Sequence, residues 1–160
     1  MARSALAIET QIESPAWRSE WPRARLEVRK FLSQATKFPE ISSSRQGSVV
    51  VVLTDNERVR ALNRQFRGKN RPTNVLSFPD RAAPLGGIAL AFETLKAEAA
   101  QQNKSFVNHT KHMILHGFLH LLDYDHQTTR ETRLMERLEI AILSEMGIPN
   151  PYVIETKTRA

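Results

Sequence analysis

Cysteine is absent from the sequence. This excludes a disulfide framework and a thiolate metal site, so a bound metal would need histidine nitrogens or carboxylate oxygens as ligands. The absence is also consistent with a reducing cytoplasm.

Long apolar runs are absent as well, and no segment approaches the roughly 20 residues that a membrane-spanning helix needs. The N-terminal segment MARSALAIETQIESPAW carries acidic residues where a secretory signal peptide has an unbroken apolar stretch. We therefore expect a soluble, unexported, cytoplasmic protein.

Length and charge bound the organisation and the partners. The 160 residues, 41% of them hydrophobic, suit one domain over 1–160, with a frayed polar tail after about residue 153. Twenty-three Lys and Arg against seventeen Asp and Glu leave a formal net charge of +6. This balance favours polyanions, although many basic proteins have no such partner.

Hydrophobic periodicity predicts alternating strands and helices. The four consecutive valines at 49–52 indicate a strand buried on both faces, followed by Asp55 as a helix N-cap. Pro79 is expected to end the third strand. The turn that follows is expected to contain Pro79, Pro84, Gly86 and Gly87. The predicted strands are 5–13, 48–53, 73–78 and 88–92; the predicted helices are 23–36, 56–66, 93–122 with a break near 103–105, and 129–146.

The histidines form the most informative pattern. His109, His112, His116 and His120 fall within about 80° of arc on a helix. His116 and His120, four residues apart, can bind one ion, and the acidic turn 123–125 allows His126 to reach it. Three neutral nitrogens with an open fourth position are typical of a catalytic zinc site.

Other interpretations remain for individual histidines. A lone pair four residues apart is more often solvated or hydrogen-bonded, and only the third histidine and its setting favour a metal here. His112 and His116 form a competing pair without an obvious third partner. We expect His112 just outside the metal shell, where it could bond a ligand or a phosphate, and His109 on the surface.

The spacing of His116 and His120 is shared with the metallopeptidase signature H-E-x-x-H, whose glutamate is the general base. Gly117 occupies that glutamate position, which disfavours a zinc peptidase or a small-molecule zinc hydrolase. Asp125 either orients His126 or caps its own backbone.

A basic segment follows the second strand. Between Arg58 and Arg71 it contains six basic residues and no acidic one, and a glycine that permits close backbone approach. Arginine matches phosphate oxygens, so phosphate binding is one interpretation and a solvated helix face is the other.

Two segments resemble one family, the YbeY endoribonucleases. HGFLHLLDYDH at 116–126 is similar to the family signature H-G-x-L-H-L-x-G-Y-D-H, and LNRQFRGKNRPTNVLSFP at 62–79 is similar to a second conserved block. The intervening spacing also fits, from about residue 50 to 146.

The resemblance implies an α+β fold with about four strands in a mixed sheet packed with helices, and a three-histidine zinc site at the end of a central helix. It implies one Zn²⁺ per chain, a single-strand-specific endoribonuclease in ribosomal RNA processing, notably at the small-subunit RNA 3′ end, and a role in ribosome quality control. Arg67 matches the arginine important for activity, and we expect Arg60, Arg64 and Arg71 to guide the RNA. The ribosome or its small subunit, ribosomal proteins and assembly GTPases are the implied partners.

Two positions depart from the family pattern. Asp123 replaces a glycine where a helix end often takes φ > 0, at a cost of about 1 kcal/mol. Gly86-Gly87 stands where the family commonly has Gly-Asp, so the role of that aspartate does not carry over.

An alternative function is that of a ribosome-associated assembly factor with a structural zinc, which would need a fourth ligand such as Asp125 or His112.

Overall fold

The computed structural model describes residues 5–41, 47–71 and 73–153. The expected frayed tail after residue 153 lies outside the described residues. The fold is α+β, as predicted, with these strands and helices: β1 Ala7–Ile12, α1 Pro15–Glu20, α2 Ala24–Ala35, β2 Ser48–Thr54, α3 Asn56–Arg67, β3 Val75–Asp80, β4 Ala83–Ala91, α4 Phe92–Gln101, α5 Phe106–Leu121 and α6 Thr129–Glu145.

The sheet is mixed and has the strand order β1-β2-β4-β3. Strands β1, β2 and β4 run parallel, whereas β3 pairs antiparallel with β4 at one edge. Four strands and a mixed sheet confirm the predicted architecture.

Residues of β2 alternate between two apolar layers. Val49, Val51 and Leu53 belong to the larger core with α2, α5 and α6, while Val50 and Val52 belong to a smaller core under α3. The valine run is therefore buried on both faces, as its composition predicted.

The expected turn before β4 is wrong, because Pro84, Gly86 and Gly87 lie inside the strand. Gly87 pairs with Phe78 across β3 and β4, and a Cβ there would lie 2.3 Å from the Phe78 ring. Close approach of an aromatic ring, rather than a turn, accounts for this glycine.

Strand β3 continues through Pro79 to Asp80, beyond the predicted end. Proline is tolerated there because β3 is an edge strand and its ladder shifts between Phe78 and Asp80. A short helix, α1, was not predicted; it is anchored by the fully buried Trp17, whose indole N–H donates to the Thr54 carbonyl at 2.8 Å.

Helix α5 lies against the sheet at Gly117. A Cβ at this position would come 2.7 Å from the Ile88 side chain and 3.2 Å from both Ser77 Oγ and Val75 Cγ2. The Ser77 hydroxyl donates to the Gly117 carbonyl at 2.7 Å. The glycine thus permits the helix to approach β3 and β4 closely.

Within the described part of the chain, no helix is long and apolar enough to span a membrane.

Replacing Gly117 with valine should lower the free energy of unfolding by at least about 2 kcal/mol, because three added carbons overpack a closed interface. Chemical denaturation measures this change. Gln65→Val, at an exposed position on α3, is the control and should stay within about 0.5 kcal/mol of the unaltered chain. Equal stability of the two variants would contradict the close-approach explanation.

Candidate metal centre

Helix α5 carries two of the three candidate ligands, His116 and His120, and the turn at its end positions the third, His126. The helix begins with the Ser105 hydroxyl accepting from the Asn108 N–H at 3.2 Å, and it ends at Leu121. Asp123 then takes φ 70°, the left-handed region. The backbone N–H groups of Asp123 and Tyr124 donate to the carbonyls of His120 at 3.1 Å and Leu119 at 3.0 Å.

These two bonds form a Schellman motif, which usually has glycine at the left-handed position. Aspartate adopts this conformation more readily than most residues, so the turn is kept despite the substitution of the family glycine by Asp123. The turn brings His126 back toward the helix.

The three predicted ligand histidines lie together. Nε2 of His116 and Nε2 of His120 are 3.1 Å apart, and one ligand nitrogen from each of His116, His120 and His126 lies within 4.8 Å of the others. Donors in a tetrahedral zinc site are separated by roughly 3.3 Å, given bonds of about 2.0–2.1 Å. The donor set and its spacing therefore fit a metal ion.

The electrostatic environment favours the neutral, ligating form of His120. Burial lowers the pKa of this imidazole, and charge on the neighbouring His116 and His126 lowers it further. A neutral ring offers the lone pair that a metal requires.

The histidines line a cleft of about 480 Å³ together with the basic segment. Arg67, Lys69 and Arg71 border this cleft. Its other walls are formed by Asn63, by residues 73–77, which include the first three residues of β3, by Gly117 and by the three histidines. Cationic side chains and candidate metal ligands thus share one cavity.

Local structure places Arg67 and Arg71 at the cleft. Arg67 is the last residue of α3, and Gly68, with φ 66°, ends the helix as predicted. The buried Asn63 amide donates to the Arg71 carbonyl at 2.9 Å, and this bond fixes the backbone of Arg71 to α3.

Arg60 and Arg64 are exposed on α3 and do not line this cleft. They precede Arg67 on the same side of α3 but lie closer to the start of the helix, whereas Arg67 is its last residue. Their expected role in guiding RNA stays a prediction.

The expectation that His109 is a surface residue is wrong. Its exposed fraction is 5%, and its Nε2 lies 2.9 Å from a Glu98 carboxylate oxygen. Glu98 also accepts a hydrogen bond from the Asn74 amide at 3.1 Å. The buried Nε2 of His109 therefore has a polar partner that is itself held in place.

Asp125 caps its own backbone, one of the two interpretations left open by the sequence. Its Oδ1 accepts from the His126 backbone N–H at 2.7 Å, while the distance to His126 Nδ1 is 3.8 Å, beyond hydrogen-bonding range. His112 lies outside the three-histidine cluster and is bonded to Glu139.

Glu139 is the site residue that the sequence interpretation missed. Burial alone would raise its pKa, but hydrogen bonds from His112 and His116 lower the pKa to about 2. A recognisable pattern was present, because the carboxylate interrupts an otherwise apolar helical stripe comprising Met135, Leu138, Ile142 and Leu143.

The fold and cleft define an α+β protein with a candidate three-histidine metal centre beside a basic groove. A sequence model described as Endoribonuclease YbeY matches residues 11–147. The chain belongs to the YbeY endoribonuclease family.

Individual relatives support the assignment. An endoribonuclease YbeY from Rhodopseudomonas palustris is 42% identical over 154 residues, covering 90% of this chain and 80% of the relative. One from Nitrobacter winogradskyi is 38% identical, with coverages of 95% and 85%. The solution structure of TM1509 from Thermotoga maritima matches with a TM-score of 0.58 and 23% identity, covering 95% of this chain and 99% of that one. This structural likeness supports the fold alone.

Zn²⁺ added to the metal-free protein should raise its thermal midpoint, because an ion that binds only the folded chain stabilises it, by about 2.7 kcal/mol at 100 times Kd. His120→Ala should lose most of this shift by losing one donor. Gln127→Ala, an exposed neighbour of His126, is the control and should keep the shift. An unchanged shift in His120→Ala would contradict the assigned ligand set.

Proposed function

We propose that this protein is a zinc-dependent, single-strand-specific endoribonuclease that acts in ribosomal RNA processing. The observation that carries the proposal is the shared cleft, where three histidine donors and three cationic side chains surround one cavity. Relatives of this chain are named endoribonucleases, which supports RNA as the substrate. On the basis of the family resemblance we also propose a role in maturation of the small-subunit RNA 3′ end and in ribosome quality control, and a cytoplasmic location.

His116, His120 and His126 would hold one Zn²⁺ per chain. Three neutral imidazoles without a thiolate suit this ion and leave a position for a ligand. When bound, Zn²⁺ supplies Lewis acidity to a phosphoryl oxygen and lowers the pKa of a water molecule.

The cationic residues act on the RNA phosphate. Arg67 neutralises charge that develops on the phosphate during cleavage, since its guanidinium matches phosphate oxygens and borders the cavity. Arg71 binds the adjoining backbone, and Asn63 keeps its loop in place through the bond to the Arg71 carbonyl. Arg60 and Arg64, farther from the cavity, steer the strand by long-range attraction.

The assembly-factor alternative requires a zinc closed by a fourth protein ligand. Neither Asp125 nor His112 joins the three-histidine cluster in the described part of the chain. The open donor set therefore supports hydrolysis. Ribosomal proteins and assembly GTPases remain proposed partners of the enzyme on the small subunit.

The proposal is tested with a single-stranded fragment of small-subunit ribosomal RNA and its matched duplex. Zinc-loaded protein should cut the single strand, and removal of the ion with a chelator should abolish cleavage until Zn²⁺ is restored. One zinc per chain without cleavage would instead favour the assembly factor.

Arg67→Ala should reduce kcat/KM for this RNA by about 100-fold, the effect of losing one group that stabilises transition-state charge. Its zinc content, measured by elemental analysis, should stay at one ion per chain. Arg60→Ala removes the same charge from the same helix and is the matched control, with a much smaller effect mainly on KM. Loss of zinc in Arg67→Ala, or equal losses in the two variants, would contradict the role given to Arg67.

A further inference from the structure

A buried carboxylate lies behind the metal centre, on the side away from the cleft. The side chain of Glu139 is 1% exposed and comes from the apolar face of α6. A charged group in such a place is strongly destabilising unless polar partners surround it. Its partners therefore indicate why it is there.

Among the residues that the structure describes, three groups contact the two oxygens of Glu139. His112 Nε2 donates to Oε2, and the Tyr152 hydroxyl donates to the same oxygen at 3.0 Å. Nδ1 of His116 lies 3.4 Å from the other oxygen, Oε1. Two donors thus hold one oxygen of the carboxylate and leave the second for a candidate metal ligand.

The contact with Oε1 determines which nitrogen of His116 carries the proton. A carboxylate accepts hydrogen bonds and does not donate them, so the adjacent Nδ1 is the protonated nitrogen. The lone pair then lies on Nε2, the atom 3.1 Å from Nε2 of His120. The same bond restricts rotation of the ring.

We propose that Glu139 is the positioning residue of the metal centre, fixing the tautomer and orientation of His116, and that His112 and Tyr152 hold its carboxylate in place. This inference rests on the zinc ligands named in the proposed function, but not on RNA cleavage. Glu139 acts through His116 and does not join the three-histidine cluster itself.

Tyr152, in the segment after α6, contacts both Glu139 and His112 behind the candidate metal centre. Its ring packs edge-on against His112 with centroids 5.5 Å apart, and its hydroxyl also lies 3.4 Å from His112 Nε2. The residue lies beyond the part of the chain that the family model matches, 11–147. Tyr152 therefore supports the metal centre from outside the signature segments.

The main test replaces Glu139 by glutamine, which keeps the shape and one carbonyl oxygen but removes the charge. Zinc affinity is measured by competition with a chromophoric chelator, without RNA. Glu139→Gln should weaken zinc binding by about 10- to 100-fold, the usual effect of changing a residue that supports a metal-bound histidine. Glu145→Gln, at an exposed position on the same helix, is the control and should bind zinc as the unaltered chain does.

A spectroscopic readout separates positioning from a merely structural role. Nitrogen-15 shifts of the His116 ring in the zinc-free protein should indicate an Nδ1-protonated imidazole, and Glu139→Gln should give a mixture of tautomers. A structural carboxylate would change the unfolding free energy but leave the tautomer and the zinc affinity unaltered. That result would overturn the proposal.

Tyr152→Phe keeps the inference testable if Glu139→Gln fails to fold. It removes one donor to the carboxylate while keeping the ring, so the loss of zinc affinity should be smaller than in Glu139→Gln but measurable. Affinity equal to that of the unaltered chain would overturn the part given to Tyr152.

The two proposals can fail separately. If the unaltered chain binds zinc but cuts no RNA, the nuclease function fails while the role of Glu139 stands. If Glu139→Gln binds zinc normally and the unaltered chain cuts RNA, the role of Glu139 fails while the function stands.

Discussion

Helix α5 lies so close to the sheet at Gly117 that a side chain there would meet Ile88, Ser77 and Val75. This approach determines the geometry of the site, because the residue before it, His116, and the residue three later, His120, project beside the β3 edge rather than into the core. The same contact excludes the glutamate of a zinc peptidase, whose position in the signature is occupied by Gly117. Packing, as well as chemistry, thus separates this centre from the metallopeptidases.

The turn after α5 completes the donor set at a modest conformational cost. A non-glycine residue in the left-handed region costs about 1 kcal/mol, and Asp123 adopts this conformation. In return, the backbone N–H groups of Asp123 and Tyr124 donate hydrogen bonds to two carbonyls at the end of the helix. A buried helix end without these bonds would leave polar groups unpaired. The turn therefore orders His126 and terminates α5 together.

Local patterns were sufficient to predict the cluster of three histidines and most of the strands and helices. The spacing of His116, His120 and His126, and the glycine that ends α3, depend on residues near one another in the chain. The burial of His109 could not be predicted in this way, because its partner Glu98 is 11 residues away. The apolar stripe of α6 indicates that Glu139 is buried, but it does not indicate that His112, 27 residues away, is its partner. The extent of β4 was missed for a similar reason: Gly87 is required by the ring of Phe78 on another strand.

The cleft combines two demands that oppose each other electrostatically. Arg67, Lys69 and Arg71 attract phosphate, but their positive charge disfavours a divalent cation in the same cavity. Their exposed side chains are screened by solvent and salt, whereas the carboxylate of Glu139 is buried directly behind His116 and is screened much less. A short-range negative charge at the histidines and a longer-range positive field at the rim would allow the proposed metal ion and the proposed RNA substrate to bind in one cavity. The proposed metal site thus accounts for the burial of Glu139 in the apolar face of α6.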